Sequence, residues 1–288
     1  MTTTDTLVRA ATTVQNTTGM TPDYAEIKKK QKVTWASGDY SVVGSTLNIV
    51  GERLVETMNI GPGQLVLDVA AGNGNATLAA ARRYADVIST DYVLELLEDG
   101  RARVMADRLM ASFQQADAED LPFPDDSFDA VVSTFGVMFT PNQDKAAAEM
   151  MRVCRPGGLV GMANWTPDSF IGALFRTIGK YAPPPAGVRA PAMWGTEEHV
   201  ANLLSPEMAK LEATTCTFVF RYRSIAHWIE VFRDYYGPTH MVFQNLSKER
   251  QEELVADMTA LAESFNEATD GAMAVPATYL EVVATKRG

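Results

Sequence analysis

Residues 66–75 read VLDVAAGNGN, an apolar run that stops at Asp68 and breaks into two glycines one residue apart, Gly72 and Gly74. Leu65 to Val69 is rich in Val and Leu and is entered from the turn Gly61-Pro62-Gly63, so it reads as a buried strand. Behind the glycines, Ala76 to Arg83 is a strong helix former with basic residues at its far end, where the helix dipole favours them. Strand, glycine loop and helix predict the first βα turn of a parallel sheet. Glycine suits such a loop because a Cβ would keep a ligand off the backbone and because tight turns need positive φ. A dinucleotide fingerprint would place a third glycine at position 77, which is Thr77, and no Walker lysine and serine follow. A pyrophosphate therefore fits poorly. A glycine pair also occurs in ordinary loops, so its neighbours decide its meaning.

The run Val87 to Asp91 is a second β-branched strand that ends in an acid. At that strand's carboxyl edge Asp91 can accept from both hydroxyls of a ribose, and it can equally cap the helical stretch that begins at Tyr92. A third short strand, around Met110 to Gln115, leads into a loop bounded by Pro122 and Pro124. In that loop Asp117 can accept from an adenine amino group while the Ala118 N–H faces a ring nitrogen. Taken singly Asp117 is a loop acid; after the glycine pair and Asp91 it is the third contact that an adenosine requires. Phe128 to Gly136 reads as a fourth strand whose end, Thr134 to Val137, faces a ligand crevice. Thr140 is expected to cap a helix with Pro141 at its first position, running to Cys154 and stopped by Arg155-Pro156-Gly157-Gly158. Leu159 to Asn164, Cys216 to Arg223 and Tyr279 to Thr285 are the remaining strands, the last of them antiparallel.

The whole chain limits the function. Its 288 residues, 46% hydrophobic, are ample for a core. No run approaches the roughly 18 consecutive apolar residues of a membrane span, and the Thr-rich start lacks a signal peptide's apolar centre. A soluble, cytoplasmic chain with a weakly docked N-terminal tail is expected. A net charge of -11 opposes nucleic-acid binding. Cys154 and Cys216 are isolated and no metal-ligand spacing occurs, so no metal and no disulfide are expected. The basic cluster Lys28-Lys29-Lys30-Gln31-Lys32 reads as a solvated helix face. No nucleophile elbow or H-E-x-x-H is present.

In their order and spacing, VLDVAAGNGN, the acid of STD, the pair in QADAEDLPFPDDSFDAVVS and the helix end RVCRPGGLVGMA resemble class I S-adenosylmethionine-dependent methyltransferases. Within them the chain is similar to the small-molecule group that includes quinone-biosynthesis (type 11) enzymes. The resemblance spans residues 60 to 165. It implies S-adenosylmethionine as cofactor, with Asp68, Ala70, Gly72 and Gly74 around its methionine part, Asp91 and Tyr92 at the ribose, and Asp117 and Ala118 at the adenine. Phe135 and Gly136 would border the methyl group. The family's loop commonly has a further glycine where this chain has Ala76.

The expected fold is α/β, a doubly wound, Rossmann-like, seven-stranded and mostly parallel sheet with an antiparallel last strand. Residues 1–60 form a tail and helical lid, and 61–288 the methyltransferase domain, with 224–271 as an insertion after strand six that caps the site. Trp35 and Tyr40 flank a helix break and either cover the sulfonium or anchor the helices on the sheet. Methyl transfer from a sulfonium is an in-line displacement that needs alignment and dryness, a base being optional. His240 and His227 are candidate general bases, with Tyr235 beside them, against the competing reading of packed or solvated side chains. Tyr235, Tyr236 and His240, with Trp35, Tyr40 and Phe135, are expected to line the acceptor side, and the Pro183-Pro184-Pro185 loop is the next candidate. The acceptor is expected to be a small aromatic or apolar molecule; its identity and the oligomeric state are not legible. A nicotinamide-dependent dehydrogenase would leave Asp117 and Ala118 unexplained, and a non-catalytic S-adenosylmethionine-binding protein stays open at this level.

Overall fold

The computed structural model describes residues 22–288, so the expected N-terminal tail lies outside the described residues. Asp23 opens the first helix, α1 (Tyr24–Ala36), by accepting from the Glu26 N–H at 3.1 Å. Gly38, at φ +72°, turns the chain into α2 (Tyr40–Gly44) and then α3 (Asn48–Thr57). Next come β1 (Leu65–Val69), α4 (Asn75–Ala81), β2 (Asp86–Asp91), α5 (Leu94–Ala106), β3 (Ser112–Gln115) and β4 (Phe128–Thr134). The second half holds α6 (Gln143–Val153), β5 (Cys154–Trp165), α7 (Phe170–Gly179), α8 (Glu197–Leu204) and β6 (Met208–Tyr222). Before the last strand, β7 (Met273–Lys286), stand α9 (Ile225–Tyr235), α10 (Gly237–Asn245) and α11 (Lys248–Phe265).

One seven-stranded sheet results, in the order β3-β2-β1-β4-β5-β7-β6. Neighbours from β3 through β5 are parallel, and β7 runs antiparallel to both β5 and β6. This is the expected doubly wound α/β sheet with its antiparallel last strand. Apolar residues cover both faces, as a parallel sheet requires. Val66, Ala130 and Val132 pack with Leu54, Val55 and Ala80 on one side, and Leu67, Val69 and Val131 join the larger core on the other. Strand order reverses between β1 and β4, and at such a switch point the carboxyl ends of the strands leave a crevice.

Two expectations need correction. The helix after β4 begins at Gln143 with Asn142 as its cap, accepting from the Lys145 N–H at 3.1 Å. Thr140 cannot cap it, because its hydroxyl turns back to donate to the Val137 carbonyl at 2.8 Å. The Arg155-Pro156-Gly157-Gly158 run does not separate helix from strand, since α6 ends at Val153 and β5 starts at Cys154, absorbing the glycines in a register shift opposite Phe128 and Ala130. Residues 224–271 carry three helices, because α9 ends at Tyr235 and Pro238 starts a new helix in its first turn. Among the described residues no helix is long and apolar enough to cross a membrane.

The two central strands meet so closely at their ends that a Cβ on Gly136 would lie 1.9 Å from the Ala70 carbonyl oxygen. Gly179, at the end of α7, has nothing within 4 Å of such a Cβ. Gly136→Ala should therefore lower stability by about 1–3 kcal/mol or more through overpacking, read as an earlier urea midpoint at unchanged slope. Gly179→Ala should shift the midpoint upward or not at all.

Candidate active site at the carboxyl ends of β1 and β4

Both central strands end on a non-glycine residue in the left-handed region, Ala70 at φ +51° and Phe135 at φ +59°. Such backbone persists only where surroundings hold it, and it gathers at functional sites. Ala71 is held by its N–H to the Thr90 carbonyl at 2.8 Å, and Phe135 by its N–H to the Ala163 carbonyl at 2.8 Å. The Phe135 ring also stacks on Trp165 with centroids 4.1 Å apart.

Asp91 organises the glycine loop. It is 4% exposed, one carboxylate oxygen accepting from the Gly72 N–H at 3.0 Å and the other from the Val93 N–H at 2.9 Å. Burial pushes its carboxyl up to about 6, against the pull of those backbone donors. Each oxygen keeps a further lone pair, so holding the loop and accepting from a ligand are compatible. Gly72, at φ +55°, leaves open the side where a Cβ would come within 3.3 Å of the Tyr40 ring.

Two residues expected around a ligand are not in the cavity wall. Asp68 lies fully buried beneath the loop, accepting from the Thr77 N–H at 2.8 Å and the Thr77 hydroxyl at 2.7 Å. It pairs with Ser89 and Val132 in mid-strand, below the crevice, and fastens α4 to β1. Gly74, at φ +82°, precedes α4 and faces Thr77 and Gly100.

The crevice opens into a cavity of about 1110 Å³, its mouth included. Ala70, Gly72, Asp91, Tyr92, Asp117 and Ala118 line one end of it. Helix α1 crosses it with Lys28, Gln31 and Trp35, spaced one turn apart, all in the wall. Lys28 thus departs from the expected solvated face: its ammonium meets Asp117 at 2.6 Å and Glu119 at 3.1 Å. Burial opposes the Lys28 charge, and its bonds to Asp117 and Glu119 outweigh burial and raise its pKa.

The other end is aromatic. Trp35 packs edge-on against Tyr40, Phe139 and Tyr236, with centroids 5.8, 4.8 and 5.6 Å away. Phe135, Phe232 and Phe220 continue that wall. Burial first, then the neighbouring Asp91 charge, pushes the Tyr40 hydroxyl up to about 12, and burial raises Tyr236 as well. Both are therefore neutral phenols at ordinary pH.

None of the three residues singled out for catalysis reaches this wall. His240 spends its ring nitrogens on the Arg233 carbonyl at 2.9 Å and the Gln244 amide at 2.6 Å. His227 receives the Arg223 N–H at 3.4 Å and lies beside the Tyr222 ring, outside the cavity wall. Tyr235 is 39% exposed, and its neighbour Tyr236 turns inward instead. The Pro183-Pro184-Pro185 loop is exposed and outside the wall. The residues that sequence reasoning missed are Gln31, Asn73, Glu119 and Phe139, together with the inward role of Lys28. Gln31 Oε1 and Asn73 Nδ2 are buried there without a hydrogen-bond partner. Among the described residues no group of three or more His, Cys, Asp or Glu is placed to hold a metal ion.

A family profile described as a methyltransferase domain matches residues 67–162, the segment from β1 into β5. An uncharacterised protein of Mycobacterium tuberculosis is 42% identical over 211 residues, 72% of this chain and 77% of its own length. A demethylmenaquinone methyltransferase of Renibacterium salmoninarum is 40% identical over 144 residues, 48% of this chain and 58% of that protein. The crystal structure of the YcgJ protein of Bacillus subtilis shares the fold, with a TM-score of 0.58 over 85% of this chain and 99% of that one at 20% identity. With the strand order and the glycine loop already in place, residues 67–162 are a methyltransferase domain of the type 11 group, set in the doubly wound fold that the YcgJ structure shares.

Proposed function

We propose that the cavity binds S-adenosylmethionine at its polar end and methylates a small aromatic or apolar acceptor at its aromatic end. The observation that carries this reading is the joining of two unlike chemistries in one cavity: the buried Asp91 carboxylate with unused lone pairs, and a wall of aromatic rings. The polar end fits the donor. Asp91 is an acceptor for the ribose hydroxyls, the loop at Gly72 admits close backbone approach, and the unpartnered Asn73 amide is a donor suited to a carboxylate. Asp117 gives one oxygen to Lys28 and the other to the Glu119 N–H, and each has a lone pair left for an adenine amino group.

When bound, the donor supplies a methyl carried on a sulfonium, which an acceptor lone pair or electron-rich carbon displaces in line. The chain's own work is alignment and exclusion of water. Trp35, Tyr40, Tyr236 and Phe135 present ring faces and edges that stabilise a cation and keep the acceptor dry. No histidine lines that end, and its tyrosines are neutral, so the acceptor brings its own nucleophilicity. In this reading α1 and α2 serve as a lid and residues 224–271 as a cap, since Lys28, Gln31, Trp35, Phe232 and Tyr236 reach the cavity from those segments.

Asp91→Ala should weaken S-adenosylmethionine binding by about 10- to 100-fold, the loss of charge-assisted hydrogen bonds of roughly 1.5–3 kcal/mol. Asp86→Ala, an exposed acid at the start of the same strand, should bind like the parent. Calorimetry measures both, and heat from NAD with none from the methyl donor would refute the reading.

Affinity should also depend on pH. A carboxylate that accepts from ribose has a lower pKa when bound than the value of about 6 in the free protein. Binding is then constant above pH 6 and weakens by up to about tenfold per unit below it. Asp91→Asn should bind more weakly with a flat profile, and an unchanged slope in that variant would assign the titration elsewhere.

A further inference from the structure

We infer that Gln31 selects the methyl acceptor, and that the acceptor is an apolar molecule bearing an O–H or N–H group that Gln31 Oε1 receives as a hydrogen bond. This rests on the methyl-transfer reading and adds the substrate class to it. Gln31 sits on α1 between Lys28, which holds the Asp117 loop, and Trp35, which packs in the aromatic wall. Its Nε2 donates to the Phe139 carbonyl at 3.0 Å. A carbonyl only accepts, so the amide cannot be turned end for end, and Oε1 is the end left over. That oxygen is buried and has no partner, and Gln31 is one of the residues that line the cavity.

Its neighbourhood tells which ligand it serves. The Phe139 ring packs on Trp35 at 4.8 Å and on Phe175 at 5.8 Å, so the amide is pinned to the aromatic end. Lys28, one turn away, already serves Asp117 and Glu119. The Tyr40 and Tyr236 hydroxyls both donate and accept and so discriminate little, whereas an amide oxygen accepts only. A buried acceptor left unpaired is costly, so a ligand that brings a donor gains and one that brings an ether or a tertiary amine does not. Among the charged residues of the wall, Lys28 is paired with Asp117 and Glu119 and Asp91 accepts from the glycine loop, so none is left to pair with a charged acceptor and the group that donates is neutral.

The test uses the protein saturated with S-adenosylhomocysteine, titrated in a calorimeter with paired probes: 2-naphthol against 2-methoxynaphthalene, and indole against 1-methylindole. The donor-bearing member of at least one pair should bind about tenfold tighter or more. Gln31→Leu and Gln31→Met should reduce that preference to about twofold or less while S-adenosylhomocysteine affinity is unchanged, which also shows that the variants fold. A preference that persists in both variants, or a parent protein with no preference in either pair, overturns the assignment. A drop in S-adenosylhomocysteine affinity with intact probe preference would move Gln31 to the cofactor and overturn it too. Failure of the parent to bind S-adenosylhomocysteine at all would strike the underlying reading instead.

Discussion

One buried carboxylate holds the site together. Asp91 ends β2, receives the N–H of Gly72 from the loop after β1 and the N–H of Val93 before α5, and so ties three segments at one point. Without that acceptor, the part-buried Gly72 N–H and the buried Val93 N–H would lose their partner. The close approach of Gly136 to Ala70 locks the other side of the crevice. Between these two constraints the carboxyl ends of β1 and β4 are set before any ligand arrives, a preorganisation that lowers the cost of binding.

The roof is held differently. No residue of α1 is fully buried, so little hydrophobic burial keeps it down. Its hold comes from the Lys28 pair with Asp117 and Glu119, the Gln31 bond to the Phe139 carbonyl, and the Trp35 ring. Contacts of that kind are individually weak and partly exposed to water, and elements held by them open at the low end of a protein's stability range. A wall that both encloses a dry aromatic end and admits an acceptor needs such an element, and α1 is the part of the wall with that property.

The strands and the glycine loop were legible because each rests on local chemistry: β-branched runs, turn residues and a period of two or none. Asp91, Asp117 and Phe135 were legible for the same reason, standing at strand ends or in loops just beyond them. Asp68 misled because an acid near glycines suggests a ligand, although its place in mid-strand, opposite Ser89, already set it below the crevice. Tyr235 and Tyr236 differ by one helical step, and Tyr236 turns inward to pack on Phe232 and on Trp35, the latter a contact between segments far apart in the chain that no local pattern reveals. Gln31 was hidden in a lysine run: the inner face of α1 is polar, so no apolar stripe marks it.

Two carboxyls lie close together beneath and beside the loop, and their environments separate them. Burial pushes Asp68 up to about 7, Thr77 opposes this, and the Asp91 charge adds to it. Asp91 titrates lower, at about 6, because backbone donors stabilise its ionised form. Burial thus holds both carboxyls above the usual carboxylate range, each against its own hydrogen-bond donors. Their surroundings give them different work: Asp91 faces the cavity with lone pairs free to accept from a ligand, whereas Asp68 is sealed under α4, serving Thr77 with one oxygen and leaving the other unpaired. Replacing Thr77 by a glycine would remove the hydroxyl that donates to Asp68 and meets the Ser89 hydroxyl, so the position where a dinucleotide loop would have its third glycine is here committed to holding the strand and helix together.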